Sequence, residues 1–103
     1  MNYTPSQTLE SVFDVPDVYG LDNKTFLQAL NFNGGAGQIA AARILFRSAV
    51  AALLNAASPD VDYPLSEAEI IADVNIALQS GRNAMLTLAA ELDTYNNLGC
   101  PLN

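Results

Sequence analysis

Residues 38–57 run for about twenty positions without a glycine or proline, and apolar side chains point in nearly every direction around them. Ile39, Ile44, Leu45, Phe46, Val50, Leu53, Leu54 and eight alanines belong to this stretch. A helix that is apolar all round has to be covered all round, by other helices or by lipid. Its length would suffice for a bilayer. Arg43 and Arg47 sit well inside it, however, and alanine adds little hydrophobicity, so a central buried helix is the better reading. The remaining chain must then supply its cover.

What remains reads as shorter helices separated by breakers. Thr4-Pro5 has the form of an N-cap followed by proline at the first helical position, leading into Leu9, Val12 and Phe13 at helical spacing. A loop around Pro16 and Gly20 follows. Asp22 is the expected N-cap for a helix over 23–30, with Phe26, Leu27 and Leu30 on its buried face. Gly34, Gly35 and Gly37 make a turn before the long helix, and Ser58-Pro59 ends that helix. Ser66 and Glu69 form a capping box at the start of a helix that buries Ile70, Ile71, Val74, Ala77 and Leu78. Ser80-Gly81 breaks it. A last helix runs from about Arg82 to Asn96, closed by Gly99 and Pro101. No segment alternates with period two. The expectation is an all-α, compact bundle of about five helices around the central one, residues 1–103 forming a single domain.

Composition narrows the chemistry. Four Lys and Arg stand against eleven Asp and Glu, a net charge of −7, which argues against a nucleic-acid track or an anionic membrane surface as partner. There is no His, and one Cys cannot make a disulfide or a zinc site within the chain. Nucleophile–His arrangements are therefore excluded from these residues. An enzyme would have to work with paired carboxylates, and Glu91 with Asp93 or Asp60 with Asp62 are the pairs to consider. A spacing of two puts neither pair on one helical face, so no catalysis is expected.

Three groups remain as candidate sites. Arg43 and Arg47 are four residues apart and share a helix face. They would either pair with carboxylates of their own fold, among Asp73, Glu91 and Asp93, or clamp an anion by bidentate hydrogen bonds. Asp60, Asp62, Glu67 and Glu69 are the densest acidic run and the place for calcium, if any. The EF-hand template fails there, since its glycine position holds Leu65 and its closing glutamate position holds Ile71. Helix capping explains Glu67 and Glu69 without a metal, so no cofactor is expected. Cys100, after Gly99 and before Pro101, has no cation near it in sequence to make it reactive. The odd count leaves an incidental thiol or a partner outside the chain.

Several blocks together resemble a recurrent bacterial extracellular domain. They are Tyr3-Thr4-Pro5-Ser6-Gln7-Thr8-Leu9, Thr25-Phe26-Leu27-Gln28-Ala29-Leu30, Ala49-Val50-Ala51-Ala52-Leu53-Leu54-Asn55-Ala56, Asp62-Tyr63-Pro64-Leu65, and Asn96-Asn97-Leu98-Gly99-Cys100-Pro101-Leu102. These look like the helical portion of secreted or surface-anchored proteins whose hallmark is an upstream Thr-Pro-Gly-Phe/Tyr-Trp-Lys-Asn-His segment. That hallmark is absent here. The resemblance implies a short relative or a piece of a larger extracellular protein, with Cys100 in a disulfide to a partner cysteine outside the chain. It carries no catalytic residues.

The function these readings favour is a non-catalytic structural or protein-interaction module of a secreted or cell-surface bacterial protein. It would present its surface to a neighbouring domain or subunit. The alternative is a ligand-binding module, taking calcium at 60–69 or an anionic or carbohydrate ligand at Arg43 and Arg47. If the central helix is incompletely covered, an apolar patch and a homodimer are expected.

Overall fold

The computed structural model describes residues 3, 4, 6–16, 19–21, 23–32, 37–58 and 63–96. Among these the chain is all-α, with four α-helices and one short 3-10 turn at Leu9–Ser11. The helices are α1 (Phe26–Leu30), α2 (Gln38–Ala57), α3 (Glu67–Ser80) and α4 (Arg82–Asn96). The long helix is central: α1, α3 and α4 all pack against α2.

The C-terminal helices start and stop where their sequence signals lie. At the start of α3 the Ser66 hydroxyl accepts from the Glu69 amide at 3.1 Å, and the Glu69 carboxylate accepts from the Ser66 amide at 3.0 Å. Two otherwise unpaired amides of the first turn are satisfied in this way. Only Gly81 separates α3 from α4, and its φ of 116° lies where a Cβ is poorly tolerated. The 20 residues of α2 match the glycine- and proline-free run, with Gly37 at its N-cap. The Gly99 stop lies outside the described residues.

The N-terminal third departs from expectation. In place of a full first helix there is the single turn at Leu9–Ser11, and α1 starts after Thr25 instead of Asp22. The reason is a non-local pairing. Thr8 and Thr25 form an isolated antiparallel bridge. The Leu9 amide donates to the Lys24 carbonyl and the Phe26 amide to the Gln7 carbonyl, each at 2.8 Å. These groups would otherwise serve helical hydrogen bonds, so helix cannot extend through either segment. Thr25 then caps α1 in a second capping box with Gln28.

One cluster of buried apolar side chains fills the interior. Phe13 from the N-terminal loop meets Phe46 of α2 with ring centroids 5.5 Å apart, and both are buried. Leu45, Val50 and Leu53 of α2 join Ile70, Val74 and Leu78 of α3 and Met85 and Leu92 of α4. The buried alanines Ala41, Ala42, Ala49 and Ala52 let neighbouring helices approach α2 closely. The irregular N-terminal segment is tied to α3 at two points. The Tyr19 hydroxyl donates to the Leu78 carbonyl at 3.1 Å, and the Asp14 amide donates to the Asn75 side-chain oxygen at 2.8 Å.

Candidate interaction surface

Although α2 is apolar almost all round, it is not covered all round. With about 100° of rotation per residue, Ile39, Arg43, Arg47, Val50 and Leu54 fall within one stripe about 80° wide, and its open part is the N-terminal one, since Val50 is fully buried. Ile39 is 47% exposed, both arginines are exposed, and Leu54 is half-buried. The stripe continues onto α1. Leu54 lines a shallow apolar pocket with Leu27, Leu30, Phe26 and Tyr3. Leu27 is 55% exposed and Leu30 is also exposed, so the buried face of α1 is Phe26 and Ala29 and not the Phe26, Leu27 and Leu30 expected from spacing. A five-residue helix lying on a longer one has room to bury only one narrow edge.

The arginines do not make the intramolecular pairs considered for them. Among the described residues no ion pair joins Arg43 or Arg47 to Asp73, Glu91 or Asp93. Arg43 instead lies over the Phe32 ring, 5.9 Å from its centroid. Asp93 accepts from the Ser48 hydroxyl at 2.6 Å, on the opposite flank of α2. A pair of guanidinium groups at helical spacing thus stands open in a chain of net charge −7.

That opposite flank holds a polar cluster between α2 and α4. Asn96 is buried, donates to the Ser48 carbonyl at 3.2 Å, and accepts from the Tyr63 hydroxyl at 2.8 Å and from the Asn55 amide at 3.4 Å. Asn55 is wholly buried and its side-chain oxygen finds no donor. Ser48 is buried with its proton engaged by Asp93, so the cluster offers no accessible nucleophile. Its role is to hold α2 and α4 in register.

A second open feature lies on the far side of the α3–α4 hairpin. Its lining runs in antiparallel order, Ser80 facing Asn83 beside the turn and Asp73 facing Glu91 at the distant end. Ile76, 65% exposed, sits between them with Ala77, Ala84 and Leu88. Sequence reading missed this groove. The available signal was Ile76 itself, an apolar residue outside the stripe of Ile70, Val74, Ala77 and Leu78 that α3 buries.

The acidic run is divided by the structure. Asp60 and Asp62 lie outside the described residues. Glu67 accepts from the Tyr3 hydroxyl at 2.6 Å and Glu69 caps α3. Burial of the Tyr3 phenol, reinforced by the hydrogen bond to Glu67 and by its negative charge, pushes that phenol well above the usual tyrosine range. The Ser66 amide, with the Ser66 hydroxyl, holds the Glu69 carboxyl below its ordinary value. Among the described residues no three potential ligands come together as a metal group. Of the paired carboxylates, Glu91 lines the groove and Asp93 meets Ser48, so they serve different faces of α4. Cys100 lies outside the described residues.

Ile39–Ala57 has the length and a mean hydropathy, 1.5, that would cross a membrane, yet 61% of it is buried against the rest of the fold. No family model, curated protein or solved structure matches this chain.

Proposed function

We propose that the chain is a non-catalytic protein-interaction module whose contact surface is the exposed part of α2 at Ile39, Arg43 and Arg47 together with the outer edge of α1. The observation that supports this most is the coexistence of Leu27, Leu30 and Ile39, all exposed, with two arginines that pair with no acid among the described residues. Exposed apolar side chains rimmed by charge are the composition of a docking surface. Unpaired guanidinium groups give it a preference for carboxylates. The extracellular, bacterial setting is part of this proposal and rests on the sequence resemblance.

The same arginines favour one alternative, a small anionic ligand held by Arg43 and Arg47. Its weakness is geometry: the two side chains lie on an open helix flank, where nothing excludes water from an ion. A partner that brings its own apolar surface removes that water.

The test uses a labelled helical peptide with leucines at i and i+4 flanked by glutamates. Fluorescence anisotropy should show saturable binding to the full chain and at least tenfold weaker binding to the R43E/R47E variant. Equal binding to both proteins, or none to either, would overturn the reading.

A further inference from the structure

We propose that the partner of this surface is a second copy of the same chain, which receives it head to tail in its α3–α4 groove. The inference rests on the reading just given and names the occupant. Three observations carry it.

Charge comes first. The α2 stripe carries Arg43 and Arg47 and no acid, whereas the groove carries Asp73 and Glu91 and no cation. Within one molecule these groups do not meet. Between molecules, a stripe against a stripe would collect four arginines, and a groove against a groove would collect four carboxylates. Both self-complementary arrangements are therefore repelled, and stripe against groove is the pairing in which each charge meets its opposite.

Shape comes second. The open part of the stripe is a ridge on a helix, extending about 12 Å from Ile39 to Arg47 at 1.5 Å per residue. Its receptor is a trough lined from Asp73 to Ser80 on α3 and from Asn83 to Glu91 on α4, about 12 Å long at the same rise. Arg43 and Arg47 are separated by about 6 Å along the axis, and Asp73 and Glu91 flank one end of the trough from its two walls.

Apolar matching comes third. Ile76 is the most exposed of the large apolar side chains described, and it lies one turn from Asp73 in the trough. Leu27, Leu30 and Ile39 are the others, and all three border the stripe. One contact would cover all four. Because the two patches lie on different parts of the molecule, the contact does not close on itself, and copies would add in a ring or an open row.

Sedimentation velocity of the full chain, up to about 1 mM, tests this. At low salt the average mass should rise with concentration, and at high salt it should fall back toward the monomer. R43E/R47E and D73K/E91K should each be monomeric alone, with unchanged circular dichroism. Mixed together they should regain association, the two variants alternating, because the native stripe of D73K/E91K meets the native groove of R43E/R47E and the two reversed faces are complementary as well. The chain with all four reversals should associate again. A wild-type chain that stays monomeric at low salt overturns the proposal, as does a mixture of the two variants that does not associate. If the acidic peptide still binds at Arg43 and Arg47 while the wild-type chain stays monomeric, the docking surface stands and the second copy does not.

Discussion

Arg47 and Ser48 are adjacent on α2 and lie in opposite environments. Arg47 is exposed and pairs with no carboxylate among the described residues, while Ser48 is buried, with its hydroxyl on Asp93 and its carbonyl taken by Asn96. The covered sides of α2 combine Leu45, Phe46, Val50 and Leu53 with buried alanines and a few polar groups whose hydrogen bonds are nearly all made. The outer flank carries exposed Ile39 and two exposed arginines, of which Arg43 lies against Phe32. The difference teaches that direction, not side-chain size, sets exposure on this helix: Leu45, Phe46, Val50 and Leu53 are as fully buried as Ala42, Ala49 and Ala52. The alanines allow close approach of neighbouring helices, while Ile39 is left exposed and Leu54 half-buried at the rim.

The covered side chains of α2 should be the costly ones to disturb. Phe46→Ala removes a fully buried ring in contact with Phe13, and it should lower stability by about 3–5 kcal/mol in a urea titration. A loss no larger than that of a surface change would break the distinction between the flanks.

A sharper version concerns the two asparagines. Among the described residues Asn96 hydrogen-bonds with Tyr63, Asn55 and Ser48, whereas Asn55 makes one long bond and leaves its oxygen without a donor. Asn96→Ala should cost about 2–3 kcal/mol and Asn55→Ala about 1 kcal/mol, because the first orphans several buried partners. Equal losses would mean that the cluster does not act through these bonds.

The rim is sensitive to pH at both extremes. Tyr3 has its pKa raised in the folded chain. Its contribution is complete below the unfolded tyrosine value near 10 and is lost as pH rises toward the higher folded value. Glu69 is the reverse case, since its pKa is lowered. Its share is complete above the unfolded carboxylate value and fades as pH falls through the folded one. Tyr3→Phe should therefore flatten the alkaline loss of melting temperature and leave the acid limb unchanged. An alkaline limb identical to that of the wild type would show that the Tyr3–Glu67 contact has no energetic weight.

The smallest effect is predicted for the outer flank. Arg47→Ala should alter stability by no more than about 0.5 kcal/mol, since the guanidinium has no partner to lose. A larger loss in the same urea titration would revive an intramolecular ion pair.

Much of the regular structure was legible because its causes are local. The capping box of Ser66 and Glu69, the break at Gly81 and the uninterrupted run of residues 38–57 act within a few residues of themselves, so α2, α3 and α4 lie where the sequence places them. The N-terminal elements were less legible. Thr25-x-x-Gln28 has the capping-box pattern, but Asp22 offered a competing cap, and only the bridge between Thr8 and Thr25 decides between them. That pairing joins positions 17 residues apart in the chain and leaves no periodic trace.

The candidate surface divides in the same way. That Arg43 and Arg47 share a face follows from helical spacing alone, and an acidic chain without histidine determines the chemistry that is missing. Whether the arginines meet acids depends on how α1, α3 and α4 distribute themselves around α2, which is a matter of tertiary packing. The sequence by itself determined a long apolar helix in need of cover. Packing decided which flank went without it, because three helices, one only five residues long, cannot enclose a cylinder whose every side is apolar.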